Sequence, residues 1–154
     1  HPGIPDAQES RGLGDVYKRQ HLIALGEAWT VAKKSKLDLV KTYKGIAVSS
    51  GNSFVHETES QVILNGSYNI NFTMDLVLKD TVLFDELAKK LNAPLEISPK
   101  IVEIFKDGQK KYGSRAWSSM IVKRMEDLNK IDFRAEGFPE ELTDIEPEEK
   151  GYEI

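Results

Sequence analysis

The sequence contains no cysteine, which excludes disulfides, thiolate zinc sites and cysteine nucleophiles together and suits a reducing compartment. A cytoplasmic location is therefore expected. No apolar run approaches the roughly 20 residues that a membrane-spanning helix needs, so no membrane partner is expected. Only three histidines are present, and His1 and His21 lie at the two ends of the opening stretch. His56 begins what resembles a metalloprotease helix in Val55-His56-Glu57-Thr58-Glu59, but the second histidine is missing, because residue 60 is Ser60. No metal site is expected, and His56 reads as an ordinary surface or helix residue. Excess positive charge is lacking too: the net charge is -4 and the lysines are mixed with carboxylates, which leaves no electrostatic footprint for nucleic acid. Finally, no segment alternates convincingly between apolar and polar residues, and no Gly-x-Gly-x-x-Gly turn occurs.

What remains is a helical chain. With 154 residues, 40% hydrophobic and 30% charged, it has the composition of an ordinary globular domain or of half of a larger enzyme. Residues 1–20 hold dense turn signals in Pro2-Gly3, Pro5, Gly12 and Gly14, and begin without methionine. They read as a disordered leader of artefactual, cloning-derived origin, outside the fold, with the natural protein cut near Gln20. Leu22, Leu25, Ala28, Trp29 and Ala32 then recur at helical spacing up to the basic run Lys33-Lys34-Ser35-Lys36. Asp38 caps a second helix. Ser53 opens a third, closed by Asn65-Gly66. An extended approach over Tyr68 to Phe72 leads to a long helix of about Thr73 to Leu91. Ser98-Pro99 starts a fifth, up to Gly113, and Trp117, Met120, Ile121, Arg124 and Met125 mark a sixth. The expected architecture is all-α, a bundle of about six helices over residues 21–130.

Residues 131–154 are different, with nine carboxylates against Arg134 and Lys150 from Asp132 onward, and with Pro139 and Pro147. A solvated acidic tail is the simpler reading. Phe133, Phe138, Leu142 and Tyr152 leave open that it drapes over the domain or a partner subunit.

The long helix carries the leading candidates for a site. Phe72, Leu76, Lys79, Asp80, Leu83, Leu87 and Leu91 recur three or four residues apart, which puts them on one face. On a packing face the two charges cost several kcal/mol unless paired or used by a ligand. Lys79 and Asp80 are therefore either an internal ion pair, the edge of a stripe where both reach water, or the wall of a cleft. In the last case Lys79 donates to a cofactor or carboxylate, Asp80 accepts from a substrate hydroxyl, and Phe72 walls the same cleft. Ser49-Ser50-Gly51-Asn52-Ser53 offers backbone amides at a helix start, or is a plain joint between helices. Trp29 and Trp117 read as core aromatics.

Leu25-Gly26-Glu27-Ala28, Ser50-Gly51-Asn52-Ser53 and Phe72-Thr73-Met74-Asp75-Leu76-Val77-Leu78-Lys79-Asp80, followed by Leu83, Ala88 and Pro94, together resemble the C-terminal helical domain of the β-hydroxyacid dehydrogenases. The resemblance covers about residues 22 to 126. It implies a helical domain that completes a cleft with an N-terminal Rossmann domain binding NAD or NADP, and a small 3-hydroxy acid or its semialdehyde as substrate. It also implies a homodimer or homotetramer. By the same resemblance Lys79 is the cofactor-contacting lysine, and Phe72 and Asp80 border the substrate. The family's proton-donating lysine stands about sixteen residues before the glutamate that Glu27 matches, and that position is Arg11. Lys18 is seven residues too close to Glu27, about 10 Å along a helix. No catalytic residue is therefore expected in this chain, and the fragment by itself is expected to be inactive. A freestanding helical interaction module without catalysis is the rival reading.

Overall fold

A computed structural model describes residues 5–142, with side chains from residue 12. Its elements are α1 (Pro5–Lys34), α2 (Leu39–Ala47), α3 (Phe54–Asn65), α4 (Met74–Lys90), α5 (Ser98–Tyr112), a short 3-10 turn (Ser118–Val122) and α6 (Lys123–Asn129). The architecture is all-α. No strand occurs among the described residues, only the isolated bridges Asn69 to Glu141 and Thr73 to Trp117.

The spine of the domain is α1, which spans 30 residues and so runs about 45 Å. Val16, Leu22, Leu25, Trp29 and Ala32 on one side of it are buried among α3, α4, α5 and α6. The expectation that residues 1–20 stand outside the fold is corrected for 5–20, since the helix extends back to Pro5 and buries Val16 and Arg19. Gly12 and Gly14 mislead as turn signals. Nothing lies within 4 Å of a side chain at either position, so both are simply weak helix residues on an open face. Residues 1–4 lie outside the described residues.

Local chemistry sets the shorter helices. Asp38 caps α2 by accepting from the Lys41 amide at 2.9 Å, and Ser53 caps α3 by accepting from the His56 amide at 3.1 Å. Gly66 ends α3 in the left-handed region with φ 97°. A side chain there would also strike Arg134, whose Nε lies 2.5 Å from the Cβ position. Ser98, expected to cap α5, lies inside the first turn. Its hydroxyl makes no bond, and Ile97 takes the cap position. The sixth helix starts later than its apolar spacing suggests, because Ser118–Val122 is wound as 3-10 helix against Gly108 of α5, where a Cβ would meet Ile121 Cδ1 at 2.4 Å.

Three polar groups organise the core. His56 is a helix residue but not a surface one, being fully buried. Its Nε2 donates to the Tyr43 carbonyl at 2.9 Å, which leaves Nδ1 to accept from the Ser60 hydroxyl at 3.2 Å. Ser60 in turn accepts from Trp29 Nε1 at 3.3 Å. No group of three or more potential metal ligands occurs among the described residues.

The chain after α6 is strapped to the domain over residues 131–142. Phe133 is fully buried, and Ile131, Ala135 and Phe138 pack against the core. Buried Glu126 accepts from the Phe133 amide at 2.8 Å and from the Tyr68 hydroxyl. Burial, together with that bond to Glu126, pushes the Tyr68 hydroxyl well above its ordinary range. Arg134 donates to the Ile63 carbonyl at 2.7 Å and to Tyr68 at 2.6 Å. Asn65 donates to the Phe138 carbonyl, and Ser67 to the Glu140 carbonyl. A solvated tail is thus corrected for 131–142, whose aromatics outweigh the acidic composition, while 143–154 lies outside the described residues. Phe133→Ala is expected to lower stability by about 3–5 kcal/mol, read as a fall in the denaturant midpoint. A loss within about 0.5 kcal/mol, as at a surface position, would show that the strap is not docked.

Candidate functional site

Helix α4 buries Met74, Val77 and Thr81, with Leu78 beside them, and not the leucine row. Thr81 is tolerated there because its hydroxyl donates to the Val77 carbonyl at 3.0 Å, leaving a methyl for packing. The expected packing face is therefore corrected. Leu83, Leu87 and Leu91 are 55%, 50% and 68% exposed, and Leu76 lies at the same surface.

Lys79 and Asp80 project from that outer face, with side chains 64% and 38% exposed and the ammonium 3.7 Å from the carboxylate. This distance gives an ion contact without a hydrogen bond, worth little in water. The two charges are therefore reached by water in this chain and do not form an internal ion pair. Phe72, just ahead of α4, is half-buried, with its carbonyl accepting from the Ser118 amide at 2.8 Å. The guanidinium of Arg19 lies over its ring, 5.2 Å from the centroid.

Arg19, inside the stretch read as a leader, is buried as well. It is 3% exposed, and its Nη1 stands 3.5 Å from Oε1 of Glu59 on α3, itself 2% exposed. Burial lowers the pKa of Arg19, opposed by Glu59, Asp15 and Asp80 in that order. Burial raises that of Glu59, opposed by Arg19 and Lys18. A signal existed in Val16, Arg19, Leu22 and Leu25, which continue the α1 stripe with one charge inside it. Lys18 points elsewhere, 3.7 Å from Asp15.

Concavities among the described residues lie on other surfaces. A cavity of about 490 Å³ separates α1 (Tyr17, His21, Leu25) from the joint Ser49 to Ser53. That joint is held by its own bonds, the Gly51 amide donating to the Ser49 hydroxyl and Asn52 to Glu57. A second, of about 430 Å³, lies at the α4–α5 turn, lined by Asp85, Lys89, Pro94 and Leu95. Phe72, Lys79 and Asp80 line neither.

A family described as NAD-binding of NADP-dependent 3-hydroxyisobutyrate dehydrogenase matches residues 18–125, from the buried α1 stripe to α6. The chain belongs to this dehydrogenase family. Among its relatives, L-threonate dehydrogenase of Haemophilus influenzae is 27% identical over 121 residues, covering 73% of this chain and 40% of that protein. L-threonate dehydrogenase of Escherichia coli K12 is 27% identical over 101 residues, covering 61% and 33% respectively. The chain thus spans 40% or less of these relatives' length. A crystal structure of 3-hydroxyisobutyrate dehydrogenase from Salmonella typhimurium shares the fold with a TM-score of 0.69 at 22% identity, over 75% of this chain and 41% of that one.

The two faces of α4 make distinct predictions. Leu83→Gln should leave stability within about 0.5 kcal/mol, whereas Met74→Ala should cost about 2–5 kcal/mol, both read by chemical denaturation. The reverse order would put the leucine row in the core.

Proposed function

We propose that this chain is the helical, substrate-side domain of an NAD(P)-dependent hydroxyacid dehydrogenase or semialdehyde reductase, with Lys79 contacting the cofactor and Phe72 and Asp80 bordering the substrate. The supporting observation is the combination of the family match over residues 18–125 with a charged pair set in an exposed leucine row of α4. Such a row is what a face looks like when a neighbouring domain covers it.

The donor chemistry fits a nicotinamide dinucleotide. Among the described residues the Lys79 ammonium makes no hydrogen bond, so its three protons are free for oxygens of the cofactor. Asp80 accepts from the substrate hydroxyl and fixes its orientation, and the Phe72 ring limits substrate size. Hydride exchange is the chemistry that the bound nicotinamide supplies. Relatives named for L-threonate and 3-hydroxyisobutyrate favour a small hydroxy acid or its semialdehyde. In this reading the protein is cytoplasmic and forms a homodimer or homotetramer, without nucleic-acid or membrane partners. No described helix is long and apolar enough to cross a membrane.

In this reading the chain has no proton donor, since Arg11 stands at the family's lysine position. Incubated with NADH or NADPH and a small semialdehyde, it should show no turnover. In a longer gene product carrying the nucleotide domain, Lys79→Ala should raise the KM for the nicotinamide cofactor about tenfold, the cost of one charged hydrogen bond, with Tm unchanged. Turnover by the chain as it stands, or an unmoved cofactor KM, would overturn the proposal. The rival reading, an interaction module whose leucine row docks another protein, requires a reading frame ahead of Gln20 that encodes no strand followed by Gly-x-Gly-x-x-Gly.

A further inference from the structure

We infer that Tyr68, held by Glu126 and by the strap after α6, is the positioning residue for Phe72 and so fixes the substrate border of the candidate site from behind. This rests on the reading of Phe72 as part of that border. Tyr68 falls within the residues matched to the family, whereas Glu126 and Arg134, which hold it, lie beyond them.

The segment from Tyr68 to Phe72 is gripped at both ends by one turn. The Ser119 hydroxyl donates to the Tyr68 carbonyl at 2.6 Å, and the Ser118 amide donates to the Phe72 carbonyl at 2.8 Å. Both serines are fully buried in the 3-10 turn. Between these two anchors the backbone is left-handed twice, at Tyr68 with φ 55° and at Asn71 with φ 54°. Asparagine tolerates that region, but a bulky aromatic there is an outlier, which persists only where the surrounding structure over-determines it. Tyr68 is over-determined. Its amide donates to the Val62 carbonyl at 3.1 Å, and its hydroxyl donates to Glu126 and accepts from Arg134 at 2.6 Å. The Arg134 guanidinium also lies over its ring, 5.2 Å from the centroid.

Packing alone requires none of this. A ring that is 4% exposed already supplies its apolar burial, and a buried network of charged and polar groups is not a better core filler than apolar side chains of the same volume. What the bonds add is direction. Glu126 is itself tied to the Phe133 amide at 2.8 Å, and Arg134 to the Ile63 carbonyl at 2.7 Å, so the Tyr68 hydroxyl is referred to α3, α6 and the strap together. With hydroxyl and carbonyl both fixed, the chain leaves Tyr68 on one course, which delivers Phe72 to the start of α4.

The test uses this chain, with amide hydrogen exchange followed by NMR. The Ser118 amide reports opening of its junction with Phe72, and the Phe105 amide, inside α5, reports opening of the whole domain. Tyr68→Phe keeps the ring and removes the hydroxyl. It should raise the ratio of the Ser118 to the Phe105 exchange rate about tenfold, the effect of one hydrogen bond to a charged group. A ratio that does not rise, whether both rates stay put or both increase together as a merely structural role requires, would overturn the inference. Should Tyr68→Phe fail to fold, Ser119→Ala, which releases the Tyr68 carbonyl instead, decides by the same ratio. The functional reading fails separately. In the longer gene product Tyr68→Phe should raise the KM for the small hydroxy acid severalfold, and an unmoved KM beside a raised exchange ratio would overturn Phe72 as the substrate border while leaving its positioning by Tyr68 intact.

Discussion

The functional account depends on how α4 is rotated about its own axis. Met74, Val77 and Thr81 face the bundle, so Leu76, Lys79, Asp80 and Leu83 face outward. Turning the helix by about half a revolution would instead bury the row that carries Lys79 and Asp80, with only each other as partners, at a cost that a domain of this size does not readily absorb. Three features hold the observed rotation. The Met74 amide donates to the Ala116 carbonyl at 2.8 Å, the Asp75 amide donates to the Ser114 carbonyl at 3.0 Å, and Gly108 lets α5 and the 3-10 turn close in on Met74. A helix pinned in this way presents apolar and charged groups together on the outside.

Much of the fold was legible because its signals are local. Asp38, Ser53 and Gly66 act through bonds to amides and carbonyls within one turn, and each helix end they announce is where the chain places it. The spacing of Leu22, Leu25, Trp29 and Ala32 marked the buried side of α1 for the same reason. Gly12 and Gly14 hid the first half of that helix, because turn residues on an open helical face look the same in sequence as turn residues in a loop. Ser98 suggested a cap at a position where the chain had already entered the helix.

The candidates Phe72, Lys79 and Asp80 lie just ahead of α4 or in its first half, but which side of the helix is buried depends on tertiary packing. The leucine row is longer and more apolar than the row that is actually buried, and Thr81 disguises the latter by satisfying its own hydroxyl. Arg19 with Glu59 and Tyr68 with Glu126 are pairs of polar groups in the interior whose members lie 40 and 58 residues apart. No window of sequence contains both members of such a pair. Phe133 belongs to the same class, an apolar residue in an acidic stretch whose docking depends on Glu126 and Leu64.

The central claim is that the outward face of α4 around Lys79 and Asp80 is covered by a nucleotide-binding domain in the complete protein. Because the sequence has no cysteine, single cysteines at Leu76 and Leu83 report on that face, and one at Val48 on a surface away from it. Thiol labelling should be rapid at all three positions in this chain, and in the longer protein should slow severalfold at 76 and 83 while staying rapid at 48. Equal labelling rates in the two proteins at 76 and 83 would contradict the account.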